Sequence, residues 1–226
     1  MELIQAFFSV ETTAFSLFGY DISWLELVGT IFNLACVILV ARRNIWTWPV
    51  GIVGVILFGI LFYQINLYAD MIEQVYYLVT GFVGWYTWAK LKKRGDDDKV
   101  QITTNSTRAN LAWLAGIVGT SAITAWALTQ VHVWAPVIFP EPADLPIIDA
   151  ATTIMSFAAQ FLMMQRRLES WILWIVVDIV AVWLYWYKGV PFLSLQYLVF
   201  LGNAIYGFVG WQRARRTIIE TDKEDA

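Results

Sequence analysis

Charge is scarce in this chain. Asp, Glu, Lys and Arg make up 15% of its 226 residues, against about 25% in soluble domains. That shortage excludes an ordinary water-soluble globule. With 59% apolar residues and a mean hydropathy of +0.59, the surface needs lipid to cover it. Cysteine is nearly absent as well. Cys36 stands alone in an apolar run, which excludes a disulfide framework and a thiolate metal cluster. His132 is equally single, in a predicted loop, and a metal site needs several ligands, so neither a metal nor a cofactor is expected. A net charge of −3, with the basic residues clustered at helix ends, gives no nucleic-acid footprint. No nucleotide-binding signature is present, which argues against ATP-driven work by this chain alone.

The opening MELIQAFFSVETTAFSLFGYDIS lacks the basic start of a cleaved signal and carries Glu2 and Glu11. Its apolar residues are too often interrupted for a span, and it reads as an interfacial amphipathic helix.

What the chain does have is long apolar stretches. A helix needs about 20 predominantly apolar residues to cross the hydrocarbon core, because unpaired backbone groups are too costly in lipid. Seven stretches qualify: Ile22–Ala41, Ile45–Tyr63, Ala69–Ala89, Asn110–Val131, Pro146–Met164, Trp171–Tyr187 and Phe192–Arg213. The third and seventh are the least cleanly bounded. Arg42 and Arg43 follow the first stretch. Lys90, Lys92, Lys93, Arg94, Lys99 and Arg108 lie between the third and fourth. Arg166 and Arg167 follow the fifth, and Arg213, Arg215, Arg216 and Lys223 the seventh. Fourteen of the fifteen Lys and Arg therefore share one side, and only Lys188 falls on the other. Cytoplasmic loops retain positive charge, so the expected topology has the N-terminus outside and the C-terminus inside. The inner linker KKRGDDDKVQITTNSTR and the Pro-rich outer loop HVWAPVIFPEPADLP read as connectors, the first of them mobile.

The chain also repeats itself. GFVGW occurs at Gly81–Trp85 and at Gly207–Trp211, each time before basic residues. Glu26, Thr30 and Asn33 in the first stretch are answered by Asp149, Thr153 and Ser156 in the fifth, 123 residues on. ARRN is matched by QRRL, Trp48 by Trp174, and Gln74 by Gln196. Three helices, a linker helix and three more helices form an all-α polytopic 3+1+3 membrane fold, and the odd linker makes the two repeats parallel. The expected divisions are an interfacial segment at 1–21, a first repeat at 22–89 and a cytoplasmic linker at 90–109. A linker helix at 110–131, an outer loop at 132–145, a second repeat at 146–213 and a cytoplasmic tail at 214–226 complete the chain. Parallel repeats are a transporter architecture with a substrate site near the midplane.

Polar groups inside spans are costly, and by default they face a bundle interior or a cavity. The first half offers Asn33 and, nearer the outer surface, Gln64, Asn66, Glu73 and Gln74. In the second half Thr153, Ser156 and Gln160 share one helix face, Trp174 and Asp178 another, and Gln196 and Asn203 a third. Each carboxamide serves equally as glue between helices or as a ligand contact. Trp24, Trp46, Trp88, Trp134 and Trp211 fit an interfacial belt. Asp178 lies mid-span with no basic partner in any helix, as a protonated carboxyl or a ligand-facing carboxylate. Carboxamides, a carboxylate and aromatic rings together suit a polar ligand with amide and hydroxyl groups and a planar, cationic ring. A rhodopsin-like receptor would need a Lys in the last span, and an embedded enzyme would need partners for Asp178; the spans supply neither.

The strings WTWPVGIVGVILFGILFYQINLYADMIEQVYYLVTGFVGWYTW and ESWILWIVVD with YKGVPFLSLQYLVFLGNAIYGFVGW resemble the PnuC family of bacterial nicotinamide riboside transporters, over roughly Ser23 to Arg216. The resemblance implies a homotrimer in the bacterial inner membrane. It also implies facilitated diffusion, with uptake drawn forward by a cytoplasmic riboside kinase. It places substrate-binding roles on Gln160, Trp174, Asp178, Gln196 and Asn203, to which the polar pattern adds Ser156, Gln74 and Asn33. Gln196 and Asn203 would read the carboxamide, Asp178 and Gln160 the ribose, and Trp174 or a neighbouring ring the pyridinium. Relatives in the wider family carry thiamin and riboflavin, so these substrates stay open, as does a seven-helix ligand-binding protein.

Overall fold

A computed structural model of the chain describes residues 6–17, 19–65, 68–92, 102–137, 142–187 and 191–224. Residues 1–5, Asn66, Lys188 and the linker stretch 93–101 lie outside them, so the expectations for these positions do too. The chain divides into two units, Met1–Gln101 and Ile102–Ala226.

The first unit opens with a β-hairpin, β1 (Thr13–Leu17) against β2 (Tyr20–Ser23), and continues with α1 (Trp24–Ala41), α2 (Thr47–Gln64) and α3 (Tyr68–Lys92). The second holds α4 (Thr107–Trp134), α5 (Pro146–Met164), α6 (Glu169–Tyr187) and α7 (Pro191–Glu224). These seven long helices among the described residues follow the seven apolar stretches. Five of them, α1, α2, α4, α5 and α6, are long and apolar enough to cross a membrane. Side-chain and ring-backbone chemistry sets their starts. Ser23 Oγ accepts from Glu26 N–H at 3.2 Å and Ser106 Oγ from Ala109 N–H at 3.3 Å, while Pro146 opens α5, each relieving helix-terminal donors. In each unit the middle helix packs against both neighbours: α2 between α1 and α3, α6 between α5 and α7, with α4 against α5.

Three expectations are corrected. Over Thr13–Ser23 the N-terminal segment is a hairpin, not an amphipathic helix. Gly19 takes the left-handed conformation, φ +82°, at its turn, which a residue without Cβ adopts freely. The segment is strapped to α2 by Gln64, whose Nε2 donates to the Phe8 carbonyl at 2.6 Å and whose Oε1 accepts from Val10 N–H at 3.2 Å. Phe7 and Val10 then pack on buried Leu25, Leu57 and Leu61. Second, the linker is pinned at its end. Thr103 N–H donates to the Arg166 carbonyl at 3.1 Å and Leu168 N–H to the Thr103 carbonyl at 3.0 Å, a parallel bridge onto the α5–α6 turn. Third, two helices outrun their expected ends: α7 continues through the expected tail to Glu224, and α4 runs to Trp134, so His132 is helical and not in a loop.

Candidate functional site

The helical hairpins that carry the candidate residues are built alike in the two units, at positions 123 residues apart. α1 ends with Arg43 at φ 58° and α5 with Arg166 at φ 60°. Arg43 N–H donates to the Val40 carbonyl and Asn44 N–H to Leu39, both at 2.9 Å; Arg166 donates to Met163 and Arg167 to Leu162, both at 2.9 Å. This is a Schellman ending with Arg where Gly is usual. Burial lowers the pKa of the half-buried Arg43 guanidinium from its ordinary value. Thr47 and Ser170 then enter the next helix as buried hydroxyls, Thr47 Oγ1 donating to the Cys36 carbonyl at 2.9 Å and Ser170 Oγ to the Arg167 carbonyl at 2.7 Å.

At the very next residue, Trp48 or Trp171, each unit holds an edge-to-face tryptophan pair. Trp48 and Trp88 have centroids 5.3 Å apart at 87°; Trp171 and Trp211 are 5.5 Å apart at 88°. Each pair is seated on a glycine of the third helix, because a Cβ on Gly84 would overlap the Trp48 ring and one on Gly207 the Trp171 ring. The Nε1 donors of Trp48 and Trp171 are both buried without a hydrogen-bond partner among the described residues.

These pairs correct the sequence register. Trp88 and Trp211 are 0% and 1% exposed, so neither belongs to an interfacial belt, whereas Trp24, Trp46 and Trp134 are exposed as a belt requires. Trp48 corresponds to Trp171 and not to Trp174, whose counterpart is Gly51. GFVGW is likewise out of step with the packing: Trp85 is 40% exposed, and the stretch that matches Gly207–Trp211 in geometry is Gly84–Trp88. The shared pentapeptide is one turn off the shared structure.

The second unit carries six of the eight candidates on three consecutively packed helices. Ser156 is buried and Gln160 half-buried on α5, Trp174 half-buried and Asp178 only 4% exposed on α6, and Gln196 and Asn203 half-buried on α7. Asp178 makes no hydrogen bond or ion pair to another described residue. A charged carboxyl is costly to bury without a partner, which singles out Asp178 as a candidate to meet a polar ligand. Aromatic rings flank the same helices: Tyr185 of α6 stacks on Tyr197 of α7 at 5.3 Å and 11°, with Phe200 edge-on to Tyr197 at 5.8 Å. An apolar groove of about 330 Å³ also lies between α6 and α7, lined by Val182, Trp183, Trp186, Ser194, Leu195 and Leu198. None of the eight candidates lines it, and its exposed rings suit lipid.

The other two candidates belong to the first unit, and both face α2. A Cβ on Gly54 would come within 2.7 Å of Asn33 Oδ1, and one on Gly59 within 3.7 Å of Gln74 Cβ. Asn33 and Gln74 therefore stand close beside α2, where a carboxamide can serve as glue between helices or as a ligand contact. Gln64 is likewise a structural clamp on the N-terminal strap. Sequence reasoning missed the pinned linker end, which reaches the α5–α6 hairpin through side chains as well as backbone. Asn105 N–H donates to Glu169 Oε1 at 2.8 Å, and Arg167 Nη1 donates to the Thr104 carbonyl at 2.9 Å. The readable signal was Asn105-Ser106 before an apolar run, a helix-capping start. Among the described residues no group of three or more His, Cys, Asp or Glu is placed to hold a metal ion.

Comparison with known proteins bears on what such a scaffold does. A family model described as nicotinamide mononucleotide transporter matches residues 23–213. The chain is 32% identical over 213 residues to the nicotinamide riboside transporter PnuC of Escherichia coli, covering 88% of this chain and 89% of that protein. The PnuC of Neisseria mucosa is 30% identical, over 84% of this chain and 73% of its own. The riboflavin/roseoflavin transporter RibM of Streptomyces davaonensis is 28% identical, over 92% and 93%. Among solved structures, the crystal structure of the vitamin B3 transporter PnuC superposes with a TM-score of 0.66 at 28% identity, covering 86% of this chain and 83% of that one. Seven long helices, five of them fit to span a bilayer, and relatives matched over most of their length agree: the chain belongs to the PnuC family of membrane transporters.

Proposed function

We propose that the protein carries nicotinamide riboside across the bacterial cytoplasmic membrane by facilitated diffusion. The observation that carries this reading is the polar set on α5–α7: the buried carboxyl of Asp178 with Gln160, Gln196 and Asn203, in a chain 32% identical to a curated nicotinamide riboside transporter. Carboxamides donate and accept together and suit the ligand's own amide. Asp178 and Gln160 suit ribose hydroxyls, and Trp174 or a neighbouring ring suits the pyridinium. Away from their cytoplasmic ends the spans supply no Lys or Arg to receive a phosphate, which favours the riboside over the mononucleotide named in the family description.

The wider proposal has two parallel three-helix repeats around a linker helix, N-terminus outside and C-terminus inside, assembled as a homotrimer. The protein performs no chemistry itself. A cytoplasmic kinase that phosphorylates the riboside keeps uptake running downhill, because the product cannot return. Riboflavin is the second reading, favoured by the likeness to RibM.

Purified protein in liposomes tests both readings. Labelled nicotinamide riboside should enter down its own gradient without an imposed proton or sodium gradient, and riboflavin and the mononucleotide should compete weakly. A requirement for an ion gradient overturns uniport, and preferential riboflavin uptake selects the second reading. Asp178→Ala and Asn203→Ala should each weaken riboside binding by tenfold or more, about 1.4 kcal/mol; unchanged affinity in both removes the proposed site.

A further inference from the structure

Helices α6 and α7 are joined by aromatic packing at one end and by a hydroxyl toward the other. At the first, Trp171 of α6 sits on Gly207 of α7 and meets Trp211 edge-on. Toward the second, Ser194 Oγ of α7 donates to the Val182 carbonyl of α6 at 2.8 Å. Ser194 is buried, so water does not compete for this bond. Three residues beyond each partner, Tyr185 and Tyr197 stack on one another.

The first unit is built differently at this place. The spacing of 123 residues sets Gly59 of α2 against Val182 and Met71 of α3 against Ser194. It also sets Glu73, and not Gln74, against Gln196. Met71 has no hydroxyl to donate. Gly59 instead lets α3 come close, a Cβ there lying within 3.7 Å of Gln74 Cβ. In the second unit Val182 and Ser194 border the groove of about 330 Å³, and the hydroxyl ties the two helices beside it. Among the described residues, the polar tie thus belongs to the unit that carries six of the eight candidates.

We propose that Ser194 is a positioning residue: its hydrogen bond fixes the roll of the α7 start and so aims Gln196 at the substrate. The inference rests on the riboside reading above. One helical step turns a side chain by about 100°, so two steps set Gln196 about 200° from Ser194. With Ser194 locked to α6, the half-buried Gln196 is held facing away from that contact. A carboxamide accepts on one side and donates on the other, so a small roll misaligns both. The place needs a lock, because α7 begins at Pro191 and helix ends fray. Gln196 is two residues from the tie and Asn203 nine, so the hydroxyl acts first on Gln196.

A double-mutant cycle tests this, with nicotinamide riboside bound to purified protein in detergent. Ser194→Ala should weaken binding by about fivefold, the worth of one interhelical hydrogen bond. Ser194→Thr keeps the hydroxyl, and its added methyl has the groove to enter, so it should bind within about twofold of wild type. Gln196→Ala should weaken binding by about tenfold, and adding Ser194→Ala to it should cost less than about twofold more. Leu198 borders the same groove without a hydroxyl, and Leu198→Ala should leave affinity within about twofold. Should Ser194→Ala not fold, Ser194→Cys, close in size and a weaker donor, takes its place in the cycle. Losses that multiply in the double variant, or a Thr variant as weak as Ala, make Ser194 a general packing residue and overturn the proposal. An equal loss in Leu198→Ala does the same. Full affinity in Ser194→Ala beside a loss in Gln196→Ala overturns Ser194 alone. If wild type does not bind the riboside, or Gln196→Ala binds it unchanged, the site reading has failed and the role of Ser194 falls with it.

Discussion

Thr47 and Ser170 occupy the same place in the two units, each buried and each tied to a backbone carbonyl. Eight residues along the same helices, Val55 stands where the second unit has Asp178. Val37 likewise answers Gln160, Gly51 answers Trp174, and Thr80, whose hydroxyl returns to the Tyr76 carbonyl at 2.9 Å, answers Asn203. One scaffold thus holds two different interiors. The ends differ as well. The first unit is strapped at the open end of its α1–α2 hairpin by residues 6–23, the second at the α5–α6 turn by residues 102–106. Where the units agree, the same packing recurs; where they part, the second unit carries the polar candidates.

The agreement can be broken at its strongest point. Trp48→Ala and Trp171→Ala each remove a buried ring and should cost about 3–5 kcal/mol, seen as matched falls in thermal unfolding in detergent. Trp174→Ala should cost less stability and more riboside binding. A large stability loss at Trp174 with none at Trp171 would break the register. Next in size, Gly84→Ala and Gly207→Ala drive a methyl into a rigid indole and should each cost about 1–3 kcal/mol. Gly81→Ala should be milder, because its nearest neighbour is Ile52 at 3.2 Å.

A smaller effect sharpens the difference between the straps. Glu169→Ala frees the Asn105 N–H and should cost about 1–2 kcal/mol, read as faster amide exchange over residues 102–106. Trp46 occupies the corresponding position in the first unit and, among the described residues, holds no such strap. Smallest is the Tyr20 phenol of the hairpin, which donates to Glu26 at 3.1 Å. Burial, then the Glu26 charge and this hydrogen bond, raise its pKa to about 12 from an ordinary 10. A pKa raised in the folded state stabilises fully below pH 10, and the contribution is lost as pH climbs from about 10 to 12. The Tyr20 share of the phenolate absorbance, taken as the difference from Tyr20→Phe, should therefore rise with a midpoint near 12, moving down in Glu26→Gln.

The helices were legible because spanning lipid demands a long apolar run, so the α5 ends agree residue for residue and the other starts within about three. The α7 extension to Glu224 was hidden, because a charged helix beyond the bilayer gives no hydropathy signal. The hairpin was written in alternating TAFSL and YDIS around Gly19, a strand pattern masked by its apolar bias. Register was the subtle loss. A five-residue identity outweighed the 123-residue spacing already visible between Glu26 and Asp149, although that spacing leads straight to Trp88, Gly84 and Glu73. Identity counts letters, whereas a glycine under an indole ring is a matter of volume. The membership of Ser156, Gln160, Asp178, Gln196 and Asn203 in one unit was readable from the order of the spans. The closeness of Asn33 and Gln74 to α2 was not, because it depends on glycines in another helix.

The two perpendicular tryptophan pairs also make each unit optically distinct. Four of the thirteen tryptophans are held rigidly at close range and shielded from water, so their transitions couple and give near-ultraviolet circular dichroism that mobile surface rings do not. Replacing Trp88 by Phe silences the pair of the first unit and leaves that of the second, and Trp211→Phe does the reverse. Heating two such single-pair proteins would record, from intrinsic absorption alone, whether the two units lose their packing together or one after the other.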